Sequence, residues 1–164
     1  MTNGIDLLIE NITRDLAGSP YLLSRKVIIG YPYTIKDAPV KCGTVAVTLD
    51  SLQVAEGAFG GYFGTAAAGG EVCGREGEVT LRLTSVVPKS AGGKECHKLL
   101  SEITSALFSG SFAGSIRSVS SGDISFDRNV GGLVLPITAI FTCIVGTEMP
   151  EDDTLYSDIT VKLK

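Results

Sequence analysis

The stretch from Pro88 to Glu95 has the residue types and the position of a phosphate-binding loop. It reads PKSAGGKE and lies between a predicted strand and a predicted helix, where backbone amides and a lysine can hold phosphates at a helix N-terminus. Two residues do not fit, because Pro88 replaces the first glycine of that motif and Glu95 replaces the Ser or Thr that would bind magnesium. The stretch is therefore predicted to be a turn that begins a helix, with Glu95 near the positive helix end.

The other residues that could do chemistry are scattered along the chain. His97 is the only histidine, and its neighbour Cys96 points roughly 100° away from it on a helix. The run Glu151–Asp153 lies in a predicted linker, where carboxylates are solvated. The four cysteines, at 42, 73, 96 and 143, form no C-x-x-C pair. Cys96 and Cys143 fall on apolar faces, so we expect these two to be buried free thiols with a structural role. We predict no catalytic residue, no metal site and no cofactor, and hence not an enzyme.

Length and charge limit the possible classes of protein. A chain of 164 residues with 44% hydrophobic and 20% charged residues is sufficient for one globular domain. No apolar run reaches the roughly 20 residues of a membrane span, so we expect a soluble, intracellular protein. A net charge of −4 without a basic cluster argues against a dedicated nucleic-acid binder, although DNA could pass an acidic wall.

The segment from Glu78 to Ser109 determines the predicted fold class. Residues 78–87 alternate between apolar and polar, which predicts a strand with one buried face. Residues 96–107 carry apolar side chains at helical spacing, which predicts an amphipathic helix. Because each element has one apolar face, the two can bury each other. We therefore predict a single α+β domain with a mainly antiparallel β-sheet and two amphipathic helices on one face.

The remaining elements follow from the same patterns. The other predicted helix is Thr2–Leu16, and Pro136 is expected to mark a bulge, an edge or the start of the last strand, since it cannot donate a ladder hydrogen bond. Residues 116–120 and 124–127 are predicted to form a hairpin around Ser121 and Gly122. The further predicted strands are Lys26–Tyr33, Thr44–Val54 and Leu133–Val145.

Two segments are candidates for contacts with other chains. Residues 56–74 are rich in glycine and are predicted to be a loop, either a mobile hairpin tip or an arm whose aromatic residues pack on a second chain. We divide the chain into an α+β domain, 1–146, and an acidic linker with a strand-like extension, 147–164, which either adds to a sheet edge or stays disordered. The predicted interface residues are Phe59, Tyr62, Phe63, Leu155, Tyr156, Ile159 and Val161.

The order of these elements resembles the tail terminator, or tail completion, proteins of tailed bacteriophages and related contractile particles. The resemblance covers roughly Ile5 to Val145, and it is one of layout and not of a diagnostic motif. It is carried by the strand and helix GEVTLRLTSVVPKSAGGKECHKLLSEITSALF, the strand pair SIRSVSSGDISFD and the closing LVLPITAIFTCIV.

The resemblance implies a homohexameric ring that caps the head-proximal end of the tail tube and joins it to the head connector or neck. The implied partners are further copies of the chain, the tail tube protein, the connector or neck protein and a sheath, with DNA only as passing cargo. The implied location is the host cytoplasm during assembly and then the virion tail. Two alternatives stay open: another tail or neck component, such as a tube, collar or connector protein, and a small ligand- or nucleotide-binding α+β domain that uses the Pro88–Glu95 turn.

Overall fold

The structure is a computed structural model that describes residues 4–30, 41–54, 61–65, 71–149 and 159–163. For residues 62–65, 71–73, 147–149 and 159–163 it describes the backbone alone. The predicted fold class is confirmed, since the chain is a single α+β domain with a mixed, mostly antiparallel sheet and two helices packed against it. Within the described ranges, neither helix is long and apolar enough to span a membrane.

The sheet is built around two long central strands. The helices are α1 (Gly4–Gly18) and α2 (Gly92–Ser109), and the strands are β1 (Lys26–Ile29), β2 (Thr44–Val54), β3 (Gly61–Thr65), β4 (Glu71–Pro88), β5 (Ile116–Ser121), β6 (Ser125–Asp127), β7 (Gly132–Met149) and β8 (Ile159–Leu163). The main order is β1-β2-β4-β7-β5, with β3 on β4 and with β6 and β8 on β7. Only β1 and β2 pair in parallel among the described strands.

The core lies between one face of the sheet and both helices. Alternate residues of β4 and β7 point towards it, and α1 and α2 bury their apolar stripes against them. Phe141 on β7 is fully buried and meets Phe112 edge to face, with ring centroids 5.8 Å apart. Other fully buried residues of this core are Ile12, Leu16, Val45, Val47, Leu81, Leu83, Leu99, Ile103, Leu107 and Ile137. Both helices therefore lie on the same face of the sheet.

The predicted hairpin between residues 116–120 and 124–127 is wrong. β5 and β6 do not pair with each other but lie one after the other along the same edge of β7. The break between them faces Pro136, whose carbonyl oxygen accepts a hydrogen bond from the Gly122 N–H at 2.9 Å. In an antiparallel sheet the N–H and the C=O of one residue point to the same neighbouring strand. Proline has no N–H, so the missing donor of Pro136 is on the side that faces this break. Pro136 thus lies at a local edge, one of its three predicted placements.

The Gly-rich segment contains more regular structure than predicted. Gly61–Thr65 forms β3, and Glu71 begins β4, which is seven residues longer at its N-terminal end than the predicted strand. The long β4 pairs with β7 from Glu71↔Met149 to Pro88↔Gly132. This cross-strand pairing stabilises an extended backbone at glycine positions whose local sequence pattern predicts a loop. The prediction of a loop is therefore wrong for 61–65 and 71–74. Residues 56–60 lie outside the described part of the chain, as do 31–33 at the end of the predicted first strand.

Candidate functional site

The sheet continues beyond the end of β2. β4 and β7 each have 18 residues, which is ~60 Å of strand. β2 stops pairing with β4 at Gly77, whereas β4 and β7 stay paired for the six further positions 71–76 and 144–149. We call these two segments, with β3 and β8 on their outer sides, the sheet extension. Val145 and the contact of β8 with α1 join the extension to the main core, and its outer strands in the described part of the chain are β3 and β8.

The sheet extension contains several of the predicted interface residues. Tyr62 pairs with Cys73 in the β3–β4 ladder, and Phe63 lies at the irregularity that follows it. In the ladder between β7 and β8, Ile159 is opposite Thr147 and Val161 is opposite Val145. Phe59, Leu155 and Tyr156 lie outside the described residues. The structure thus places described members of the set on both flanks of one extension, and their role as interface residues remains a prediction.

An open depression lies where β2 ends and the sheet extension begins. It has a volume of about 390 Å³ and is lined by Gln53, Val54, Glu76, Gly77, Glu78, Thr142 and Cys143. Glu78 forms an ion pair with Arg117. No group of three or more potential metal ligands occurs among the described residues. The depression is an open surface at the end of β2.

Two ion pairs lie on the sheet face opposite the helices. Arg82 on β4 binds Asp50 on the neighbouring strand β2 at 2.7 Å, and Arg117 on β5 binds Glu78 on β4. Between and beside these pairs lie hydroxyl side chains that are part-exposed, namely Thr48, Thr80, Thr84, Thr138 and Thr142. We call this the open sheet face. Since each arginine has its own carboxylate, the face has little free positive charge with which to hold a phosphate backbone.

The candidate phosphate loop forms a different structure. Lys89–Ala91 is a single 3-10 turn, and Gly92 has φ of 72°, a conformation that favours glycine, at the start of α2. Lys89 lies over the Phe126 ring, 5.2 Å from its centroid. The Glu95 carboxylate occupies the first helical turn and binds Arg25 at 2.7 Å. The residue at the magnesium-ligand position thus has a protein partner, and the turn begins α2, as predicted.

Sequence analysis missed the buried ion-pair cluster around Arg25. This side chain is 9% exposed and forms a bidentate pair with Glu102, from Nε at 2.7 Å and from Nη2 at 3.0 Å, in addition to its contact with Glu95. The hydrogen bonds to Glu102, with a further contribution from Glu95, raise the pKa of Arg25 above its usual range. Glu95 and Glu102 are seven residues apart on α2, so they lie on one helix face, and this spacing was the available signal.

The thiols and the histidine show no catalytic arrangement. Cys96 and Cys143 are buried and free, while Cys42 is exposed. Burial raises the pKa of both buried thiols, which keeps them protonated and unreactive near neutral pH. His97 is on the exposed side of α2. Among the described residues, these groups therefore do not form a nucleophile with an adjacent base.

Comparison with known proteins gives no assignment for this chain. No protein-family model matches the sequence, and no curated protein matches it at a significant level.

Proposed function

We propose that this protein is a structural assembly protein of the tail-terminator type. In this proposal, copies of the chain form a hexameric ring that caps the head-proximal end of a tail tube and joins it to the connector or neck. The ring acts through contacts between subunits and with the tube, so it needs no catalytic residue and no cofactor. It assembles in the host cytoplasm and then becomes part of the virion tail or of a related contractile particle.

The observation that carries the proposal is the sheet extension. Two 18-residue strands carry six paired positions past the end of β2, which is ~20 Å of additional sheet. β3 on β4 and β8 on β7 flank this extension. The outer edges of these two short strands are a suitable surface for pairing with another chain, because strand edges offer regularly spaced donors and acceptors. A domain that only had to bury its own core would gain little from this length.

The open sheet face supports the same proposal. Its two arginines are paired with Asp50 and Glu78, and the whole chain has a net charge of −4. A ring wall of this kind would let DNA pass without retaining it, since retention requires unpaired cations near the phosphates. In the proposed ring, DNA is passing cargo, and the bound partners are the tube protein, the connector or neck protein and a sheath where the particle has one.

The test is the solution mass of the purified protein, measured by light scattering over a concentration series, followed by electron microscopy of any large species. A discrete species of about six subunits that forms closed rings, or a concentration-driven shift towards it, supports the proposal. A strict monomer at every concentration would contradict self-assembly of the ring. Open tubes of variable length would instead favour a tube protein, because a terminator has to stop growth.

The ligand-binding alternative has its own measurement on the same samples. A nucleotide that binds only the folded protein raises its melting temperature in proportion to occupancy. We expect no shift with nucleotide and magnesium, because Glu95 is at the position of the magnesium-binding Ser or Thr and its carboxylate is bound to Arg25. A concentration-dependent rise in melting temperature would favour the binding domain over the structural protein.

A further inference from the structure

We propose that β8 is an exchanged strand, which in the assembled protein pairs with β7 of the neighbouring copy. This inference rests on the proposed ring, and it names the contact that joins adjacent subunits. The occupant of the β7 edge at residues 143–147 is then β8 of a second copy, in the same antiparallel register from Thr147↔Ile159 to Cys143↔Leu163 that the structure gives within one chain.

β8 binds to its own stretch of the β7 edge. It covers residues 143–147 of β7, of which 144–147 belong to the sheet extension. The adjoining part of the same β7 edge is held by β5, whose pairing begins at Ile116↔Phe141. β8 therefore occupies a separate stretch of edge at the protruding end of the sheet, and it also contacts α1. Exchange at this stretch leaves the pairing of β4, β5 and β7 around the core unchanged.

The chain between β7 and β8 is longer than a hairpin connection requires. Nine residues, 150–158, separate the two strands, whereas an antiparallel hairpin needs only 2–5. Fully extended, nine residues reach ~30 Å, which is enough to carry β8 to an adjacent copy. Four of the nine are acidic, namely Glu151, Asp152, Asp153 and Asp158, and like charges close together in a chain repel one another.

Exchange of β8 between copies keeps the contacts that the strand makes within one chain. An exchanged strand makes the same backbone hydrogen bonds and the same contact with α1 as an intramolecular one, so the exchange itself costs little in contact energy. Within a closed ring each copy gives one strand and receives one, and no sheet edge at residues 143–147 is left unpaired. The exchange thus converts a contact already present in the fold into a link between subunits.

The register provides a direct experiment, because a natural cysteine is opposite the end of β8. Directly opposite residues of antiparallel strands have Cα atoms about 4.5–5.5 Å apart, within the range that a disulfide bridges. The variant Leu163→Cys therefore places a thiol opposite Cys143. Its matched control is Leu163→Cys with Cys143→Ser, which identifies any cross-link made by Cys42, Cys73 or Cys96. The full-length protein at assembly concentration is oxidised and run on a non-reducing denaturing gel.

The proposal predicts covalent multimers up to about six chains in Leu163→Cys, which disappear on reduction and are absent in the control. A cross-link that stays within single chains, seen as free thiols lost without multimers, overturns the exchange. A second pair, Val145→Cys with Val161→Cys, is also directly opposite in the register and covers the case in which Leu163→Cys perturbs the strand. Absence of any disulfide in both variants also overturns the proposal, because the register itself is then not formed.

Light scattering on the same oxidised samples separates this inference from the proposed function. A native mass of about six subunits with intrachain disulfides would leave the ring in place and refute the exchange. Interchain disulfides with a native mass of two subunits would support the exchange and refute the hexameric ring. The two proposals can therefore fail independently.

Discussion

Arg25 joins the segment after α1 to the face of α2, and its replacement by alanine tests how much that junction contributes to stability. The guanidinium makes three contacts shorter than or equal to 3.0 Å, two with Glu102 and one with Glu95. Gly43 lies directly beside it, since a Cβ there would be 2.9 Å from Arg25 Nη1. In Arg25→Ala two carboxylates on one helix face would remain near each other without their shared cation.

The expected cost follows from the exposure of the three groups. Breaking a fully buried ion pair by removing one partner costs about 3–5 kcal/mol. Arg25 is 9% exposed, but Glu95 and Glu102 are 28% and 19% exposed, so water partly compensates the carboxylates. We therefore expect a loss of about 2–3 kcal/mol in the free energy of unfolding. For a protein of this size that corresponds to about 4–12 °C in melting temperature.

The matched control is the ion pair of Arg82 with Asp50 on the open sheet face. It has the same 2.7 Å distance, but its side chains are 47% and 38% exposed, so Arg82→Ala should cost only about 0–1 kcal/mol. Arg25→Lys keeps the charge without the planar fork and should fall between. Denaturant and thermal unfolding of the three variants provide the comparison. If Arg25→Ala costs no more than Arg82→Ala, burial does not determine the strength of this cluster and the reasoning is refuted.

Three further predictions concern the thiols, the glycines and the C-terminal strand. Exposed Cys42 should react at once with a thiol reagent, and buried Cys143 only on unfolding. Because burial raises the folded pKa of Cys143, the stability that its protonated thiol contributes is present below pH about 8.5 and is lost as the pH rises further. The free energy of unfolding, measured against pH, should therefore fall less steeply above this pH in Cys143→Ala than in the unchanged protein. Gly77→Ala should cost about 1–3 kcal/mol, because its Cβ would lie 2.7 Å from a β2 carbonyl oxygen, whereas Gly114→Ala meets nothing within 4 Å and should not destabilise in the same unfolding assay. Deletion of residues 154–164 should lower the mass measured by light scattering without unfolding the domain; a monomer that also melts much earlier would contradict this.

The parts of the fold that could be predicted are those with a clear local period. The strand from Thr44 to Val54 has the predicted bounds, with Val45, Val47 and Leu49 on the core side. The apolar stripe of α2 is buried as expected. The turn before α2 also follows from local residues, because Gly92 has the positive φ that favours glycine. In each case the information lies within one element, so neighbouring strands are not needed to interpret it.

The parts that could not be predicted depend on partners that are distant in sequence. β4 begins at Glu71, within a glycine-rich run, because β7 pairs with it there from more than 70 residues away. β5 and β6 share an edge of β7 and do not form a hairpin, since their break faces Pro136. The Arg25 cluster likewise joins residues 77 positions apart. A local pattern gives the type of an element, but not the strand or side chain that it contacts.

The three segments along the outer edge of β7 differ in how they are held, and this difference connects the fold to the proposed assembly. β6 reaches the edge through the turn that leads directly into β7, with Gly131 N–H bonded to the Asp127 carbonyl at 2.8 Å. β5 is fixed from the other side, because the chain enters it from α2 through Phe112, which packs on Phe141. β8 alone among the three comes after β7 and is separated from it by nine residues. Since a strand held by neighbours in sequence has no freedom to pair elsewhere, β8 is the segment of this edge that a second copy can receive without disturbing the core.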